Sequence, residues 1–86
     1  MVLSVNEQVN VITVFSPKVK GAMPYRVRWK QRVYCITKLG MHHSYREGRV
    51  LFHIYEVTDG NLSFRLKLNT ESLLWFLEAV SDGTAD

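Results

Sequence analysis

Apolar and polar residues alternate with a period of two through most of the chain, and this pattern predicts antiparallel β-strands. In YRVRWK, for example, aromatic and aliphatic residues alternate with Arg26, Arg28 and Lys30, so one face of the strand is buried and the other is wet. Runs of this kind predict five strands, over residues 8–16, 25–30, 32–45, 49–58 and 61–68.

The second and third predicted strands form a hairpin with a tight turn at Lys30–Gln31. This turn places Trp29 opposite Arg32 and Val27 opposite Tyr34, and such aromatic and β-branched cross-strand pairs favour the register. The turn contains neither glycine nor asparagine, the residues that primed two-residue turns prefer.

The fourth and fifth strands flank Asp59–Gly60, a dipeptide typical of a two-residue primed turn. The turn pairs Val57 with Leu62 and Tyr55 with Phe64, and it places these residues on one core face. The opposite face then carries Phe52, Ile54, Glu56, Ser63, Arg65 and Lys67.

The segment LGMHHSYREGR, residues 39–49, holds two adjacent histidines. A three-residue loop over residues 46–48 places His43 on the core face and His42 in water, whereas a two-residue loop turns His42 inward. The apolar pattern favours the three-residue loop. On that register His43 and His53 approach each other diagonally, but two imidazoles fall short of the four ligands of a structural zinc, so we predict no metal site.

The period changes after Asn69, and NTESLLWFLEAVSDG predicts a helix over residues 70–81 with a polar cap at its start and Gly83 after its end. The predicted fold is therefore α+β and mainly β. It is a single domain spanning residues 1–86, a five-stranded antiparallel meander that is curled or barrel-like, with one C-terminal helix and a tail over residues 82–86.

Composition limits the classes of function. The chain has 86 residues, 47% of them hydrophobic, and a formal net charge of +3. Residues 18–49 carry a net charge of +8 and the remainder a net charge of −5, a segregation that can mark a polyanion-binding face or an ordinary solvated surface. No long apolar run predicts a membrane span or a signal peptide, so we expect a cytoplasmic protein that does not bind membranes.

Catalytic chemistry is not evident in the sequence. The glycines are isolated turn residues, no two carboxylates form an acid–base pair, and the single cysteine, Cys35, lies in a strand far from any histidine. We therefore predict a non-enzyme without a cofactor, a catalytic residue or a metal site.

Two functions are compatible with these limits. The first is a small interaction or assembly module that binds itself as a homodimer, or another protein, since one helix cannot cover every apolar face; its candidate interface residues are Phe52, Ile54, Trp75 and Phe76. The second is single-stranded nucleic-acid binding, in which basic side chains contact phosphates and aromatic rings stack on bases. Its candidate residues are Arg26, Arg28, Lys30, Arg65 and Lys67.

The stretch from Pro24 through Trp29, Arg32 and Tyr34, followed by the last hairpin and the segment with Trp75, resembles a group of small β-rich prokaryotic proteins of unknown function. In that group, a hairpin with a Pro…Trp-x-x-Arg-x-Tyr pattern introduces the domain. The resemblance implies a β-rich fold, and it implies no activity and no functional residue.

Overall fold

In the computed structural model, which describes residues 2–16 and 19–82, these residues form one antiparallel sheet of seven strands and no helix. The strands are β1 (Val2–Ser16), β2 (Val19–Trp29), β3 (Arg32–Cys35), β4 (Lys38–Glu47), β5 (Val50–Thr58), β6 (Ser63–Asn69) and β7 (Trp75–Ser81). The prediction of an α+β fold with five strands and a C-terminal helix is therefore wrong. The residues predicted as a tail begin with Asp82, and residues 83–86 lie outside the described part of the chain.

The sheet consists of two meanders, β1–β3 and β4–β7, which are joined through β1 and β7. Its strand order is β3-β2-β1-β7-β6-β5-β4, so β1 pairs with β7 and the edge strands are β3 and β4. Only Ile36 and Thr37 separate these edge strands in sequence. The N–H of Ile36 donates to the Tyr25 carbonyl of β2, and the N–H of Thr37 donates to the Thr58 carbonyl of β5. The sheet therefore closes on itself at this point.

The core lies inside the closed sheet. Val27, Leu66 and Leu77 are fully buried there, and the rings of Tyr34 and Phe64 pack with their centroids 5.1 Å apart. Tyr34 belongs to β3 and Phe64 to β6, which are not neighbours in the sheet, so the contact crosses the interior. The outer faces of β2–β3 and of β6 consequently point in opposite directions.

The segment predicted as a helix forms a turn and then β7. The side-chain Oδ1 of Asn69 accepts hydrogen bonds from the N–H groups of Glu71 and Ser72, which is what a helix cap does, and the N–H of Leu73 donates to the Asn69 carbonyl. One turn therefore forms, but Leu73 adopts a left-handed conformation with φ of 63° and ends it. The chain then enters the sheet at Trp75.

A β-bulge explains why this strand imitates a helix in the sequence. Arg65 pairs with Ala79 and Leu66 pairs with Leu77, so Glu78 is an extra residue in β7. The bulge widens the spacing of the core-facing residues from two to three between Leu77 and Val80. Leu73, Leu77 and Val80 then show the four-and-three spacing of a helical face, although Leu73 is 71% exposed and lies in the loop.

Of the three predicted hairpin registers, that of β2 with β3 is confirmed, with Val27 opposite Tyr34 and Trp29 opposite Arg32. The other two need correction. In the last hairpin, Val57 pairs with Phe64 across a four-residue loop, two residues away from the predicted register. Because the shift is even, the predicted core face is preserved.

The β4–β5 register differs from the prediction by three residues, an odd number. Glu47 pairs with Val50 across Gly48–Arg49, and Gly48 has φ of 63° while Arg49 does not have a positive φ, which is the geometry of a type II′ turn. Glycine at the first turn position favours this two-residue loop. The loop reverses the predicted faces of β4, so His42 shares a face with Tyr55, and His43 lies opposite Ile54 on the outer face.

Candidate functional site

The most exposed element of the described chain is the edge strand β4. All of its residues are solvent-exposed except Leu39, which is partly buried, and Met41 and Tyr45 remain 53% and 38% exposed. The other edge strand, β3, has only four residues, whereas β4 has ten. Long edge strands are usually protected by charged residues or proline. Between Gly40 and Tyr45, β4 contains neither proline nor any lysine, arginine, aspartate or glutamate.

The β4–β5 turn determines which backbone groups of β4 are free. Because Glu47 and Val50 close a two-residue loop, they form a hydrogen-bonded pair, and every second residue before Glu47 also bonds to β5. The intervening residues of this stretch point their N–H and C=O groups away from β5, towards the open edge of the sheet. These residues are His42, Ser44 and Arg46.

The histidine pair on the inner face of this hairpin is His42 with His53, not His43 with His53 as the sequence predicted. The Nε2 atom of His42 lies 2.9 Å from the Nδ1 atom of His53. The ring centroids are 5.0 Å apart and the ring planes differ by 21°, so the two nitrogens face each other nearly head-on. That arrangement is a hydrogen bond between imidazoles, and the donor is whichever ring carries the proton.

Aromatic rings continue from this pair towards the core. The His42 ring stacks on Tyr55 at 4.5 Å, and Tyr55 contacts Trp75 at 5.4 Å. Burial lowers the pKa of His42, and the nearby His53 and His43 lower it further. Burial also raises the pKa of Tyr55. The lowered pKa favours the neutral form of His42 near pH 7.

A basic surface lies on the outer face of β2. Arg26 and Arg28 project there, opposite Cys35 and Val33 of β3. A shallow cavity with a volume of about 270 Å³ lies beside them, and Ile12 forms its side towards β1. Beside it the Tyr25 ring is 46% exposed, and the Arg26 guanidinium lies 5.3 Å from its centroid. Within the described residues, no carboxylate forms an ion pair with either arginine.

The structure does not bring the five predicted basic residues together. Lys30 lies in the β2–β3 turn, with its ammonium 5.1 Å from the centroid of the Trp29 ring. Arg65 and Lys67 lie on β6, on the opposite wall of the sheet. Arg65 donates to Glu56 at 3.2 Å and to Glu78 at 3.0 Å, and Lys67 lies 4.3 Å from the centroid of the Phe52 ring.

The predicted interface residues are largely covered. Phe52 and Ile54 are on the outer face as predicted, but only 8% and 1% of their surfaces are exposed, and Tyr45 stacks on Phe52 at 5.4 Å. Trp75 lies in the core at 7% exposure, and Phe76 is partly buried. The apolar side chains that remain exposed on β4 are Met41 and Tyr45, which share the face of His43 that the predicted register turned towards the core. The uncharged run from Gly40 to Tyr45 was the available signal.

Within the described residues, no three histidine, cysteine, aspartate or glutamate side chains come together as a metal-binding group. Cys35 is a free, exposed thiol. The described chain also contains no helix that is long and apolar enough to cross a membrane.

No family model, curated protein or solved structure matches this chain. The resemblance to β-rich prokaryotic proteins stays a prediction. The features of the molecule that bear on function are the β4 edge, the histidine pair and the basic surface of β2.

Proposed function

We propose that this protein is a small, non-catalytic interaction module of the cytoplasm that self-associates by pairing the free edge of β4 with the same edge of a second copy. The observation that carries the proposal is the ten-residue edge strand, exposed along its length and uncharged between Gly40 and Tyr45. A free strand edge binds another strand through its unpaired N–H and C=O groups, and side-chain pockets add specificity.

A second copy fits this edge better than a charged peptide does. The centre of the edge contains no lysine, arginine, aspartate or glutamate, so a strongly acidic or basic partner would bury its charges there without a permanent counter-charge. The charged residues of β4 stand at its two ends, with Lys38 at one and Arg46 and Glu47 at the other. Antiparallel pairing of two identical strands also satisfies the same backbone groups on both copies and gives a closed dimer.

Ser44 allows a test that leaves the fold intact. Its N–H points towards the open edge, so Ser44→Pro removes a donor that the dimer needs and no donor that bonds to β5. Proline is tolerated at such edge positions, and circular dichroism should show an unchanged fold. Ser44→Ala keeps the N–H and serves as the matched control.

Sedimentation equilibrium at pH 8 should give the mass of a dimer for the natural chain and for Ser44→Ala. Ser44→Pro should give a monomer of 10.0 kDa. A natural chain that is monomeric at several hundred micromolar would refute self-association. A Ser44→Pro variant that stays dimeric would show that the dimer uses another surface.

The basic surface of β2 favours a second candidate function, the binding of single-stranded nucleic acid. The supporting observation is the exposed ring of Tyr25 beside Arg26 and Arg28, which form no ion pair with a carboxylate of the described residues. An aromatic platform next to such guanidinium groups suits a stacked base and its phosphates. Lys30 lies at the end of the same strand. Arg65 and Lys67 are not part of this candidate surface.

Fluorescence anisotropy of labelled single-stranded RNA and DNA tests this candidate at low and physiological salt. The double variant Arg26→Ala/Arg28→Ala should weaken binding at least tenfold. The control Arg46→Ala/Arg49→Ala removes the same charge from two exposed positions at the tip of the β4–β5 hairpin, and it should change affinity little. Equal losses in the two variants would indicate a nonspecific charge effect and contradict a site on β2.

A further inference from the structure

The side chains of β4 specify one register for the dimer. In a symmetric antiparallel pair, the twofold axis is perpendicular to the sheet and places one residue opposite its own copy. For the centre of β4, that residue can be His42, His43 or Ser44. The three choices pair different side chains, and the exposed residues discriminate between them.

An axis at His42 places Lys38 opposite Arg46 of the second copy, twice, and like charges directly opposite are unfavourable. An axis at Ser44 places the exposed Met41 opposite Glu47. An axis at His43 places Met41 opposite Tyr45 on both sides of the axis. That register buries the exposed apolar side chains of β4 against each other and creates a sulfur–aromatic contact.

Backbone hydrogen bonding is compatible with the axis at His43. His42 then lies opposite Ser44 of the second copy, and both residues have N–H and C=O groups that point to the open edge. Two such pairs form around the axis, and each exchanges two hydrogen bonds. His43 forms the central non-hydrogen-bonded pair, in which opposite Cα atoms are about 4.5 Å apart.

We infer that the protein forms a continuous antiparallel sheet across a twofold axis at His43, and that protonation of the two opposed His43 imidazoles dissociates the dimer. This inference rests on the proposed self-association. Neutral imidazoles at the axis can share a hydrogen bond, whereas two imidazolium ions at cross-strand distance repel each other.

Among the residues that the structure describes, no group near His43 would neutralise this repulsion. Ile54 lies opposite on β5, and beyond it Lys67 of β6 adds positive charge. Glu56 lies opposite Met41, but its carboxylate already pairs with Arg65 at 3.2 Å. The remaining groups near His43 are Met41 and Tyr45 on its own face, His42 on the other face, and the Met41, His43 and Tyr45 of the second copy.

Cysteine crosslinking tests the register. In a Cys35→Ser background, which removes the one natural thiol, His43→Cys should form a covalent dimer on mild oxidation, because a Cα separation of about 4.5 Å suits a disulfide. His42→Cys and Ser44→Cys in the same background are matched controls and should stay uncrosslinked. Preferential crosslinking through residue 42 or 44 would overturn the register while leaving edge pairing intact.

Sedimentation equilibrium at pH 8 and pH 5 tests whether protonation weakens the dimer. The natural chain should bind its copy at least tenfold more weakly at pH 5. His43→Gln should remove most of this difference, whereas His42→Gln, which removes the pH-sensitive pair with His53, should retain most of it. A dimer that is equally tight at both pH values, or a pH effect of unchanged size in His43→Gln, would overturn the inference and leave self-association standing. A natural chain that is monomeric at pH 8 would instead refute the proposed function itself.

Discussion

His42 and His53 share a hydrogen bond of 2.9 Å between Nε2 and Nδ1 across the β4–β5 hairpin. The bond requires at least one neutral ring, because two imidazolium rings have donors only and repel each other. The pair ties the exposed strand β4 to β5, which reaches into the core through Tyr55. Protonation of the pair therefore weakens the attachment of the edge strand.

The first prediction concerns stability against pH. The pKa of His42 is lowered in the folded chain, first by burial and then by His53 and His43, so the unfolded chain binds protons more readily. The free energy of unfolding should be highest above pH 6.5 and should fall as the pH drops below that value. Urea denaturation at low micromolar concentration measures this change. His42→Gln should reduce the slope, and an unchanged slope in that variant would contradict the assignment.

The second prediction distinguishes a strand from a helix over residues 75–81. Leu77 is fully buried between β1 and β6, so Leu77→Ala should lower the free energy of unfolding by about 2–5 kcal/mol. Leu73 is 71% exposed, so Leu73→Ala should change it by less than about 0.5 kcal/mol. A helix would place both residues on one buried face, and similar losses in the two variants would support the helix instead.

Irregularities such as β-bulges explain where the alternation of apolar and polar residues predicted the strands correctly and where it did not. Strict alternation in Tyr25–Trp29 predicted the β2–β3 register correctly, because the turn at Lys30–Gln31 keeps the period of two. The bulge at Glu78 broke that period in β7 and made the strand look helical. At β1, Asn6 with φ of 54° interrupts the alternation before Gln8, where the predicted strand begins, and the structure continues the strand back to Val2.

The candidate site was less predictable than the fold. The faces of β4 depend on one residue of loop length, and a glycine at position 48 fits a three-residue loop as well as the two-residue loop that the structure adopts. The apolar pattern favoured the wrong loop because His42 and Ser44 look unsuited to an inner face. In the structure that face remains open to solvent at β4, so polar side chains are tolerated there.

The third prediction concerns the β2–β3 turn. Lys30 and Gln31 adopt φ values of 53° and 63°, as in a type I′ turn. A positive φ costs a non-glycine residue about 1 kcal/mol or more, and this cost is smallest for asparagine. Lys30→Asn with Gln31→Gly should therefore raise the free energy of unfolding by about 1–2 kcal/mol. Thermal and urea denaturation measure the gain. The matched control is Arg46→Asn with Glu47→Gly, within β4. It should not stabilise the chain, because strand residues do not have positive φ.

The fourth prediction concerns the cap at Asn69. Its Oδ1 accepts from two backbone N–H groups at 2.9 and 3.0 Å, so Asn69→Ala should lower the free energy of unfolding by about 1–2 kcal/mol. Asn69→Asp preserves the acceptor and should restore most of the loss. If alanine and aspartate variants are equally stable, the side chain does not hold the turn before β7.

The pairing of β1 with β7 also has a consequence for the order of events in folding. Every other strand pair joins neighbours in sequence across a short connection, whereas this one brings Val2 beside Ser81. Closing so long a loop costs more chain entropy than closing a hairpin, so the local hairpins form early and the two meanders dock late. Until they dock, β1 and β7 are further free edges that compete with β4 for strands of other chains. The rate of that docking step therefore decides how much of a concentrated solution reaches the native sheet and how much aggregates.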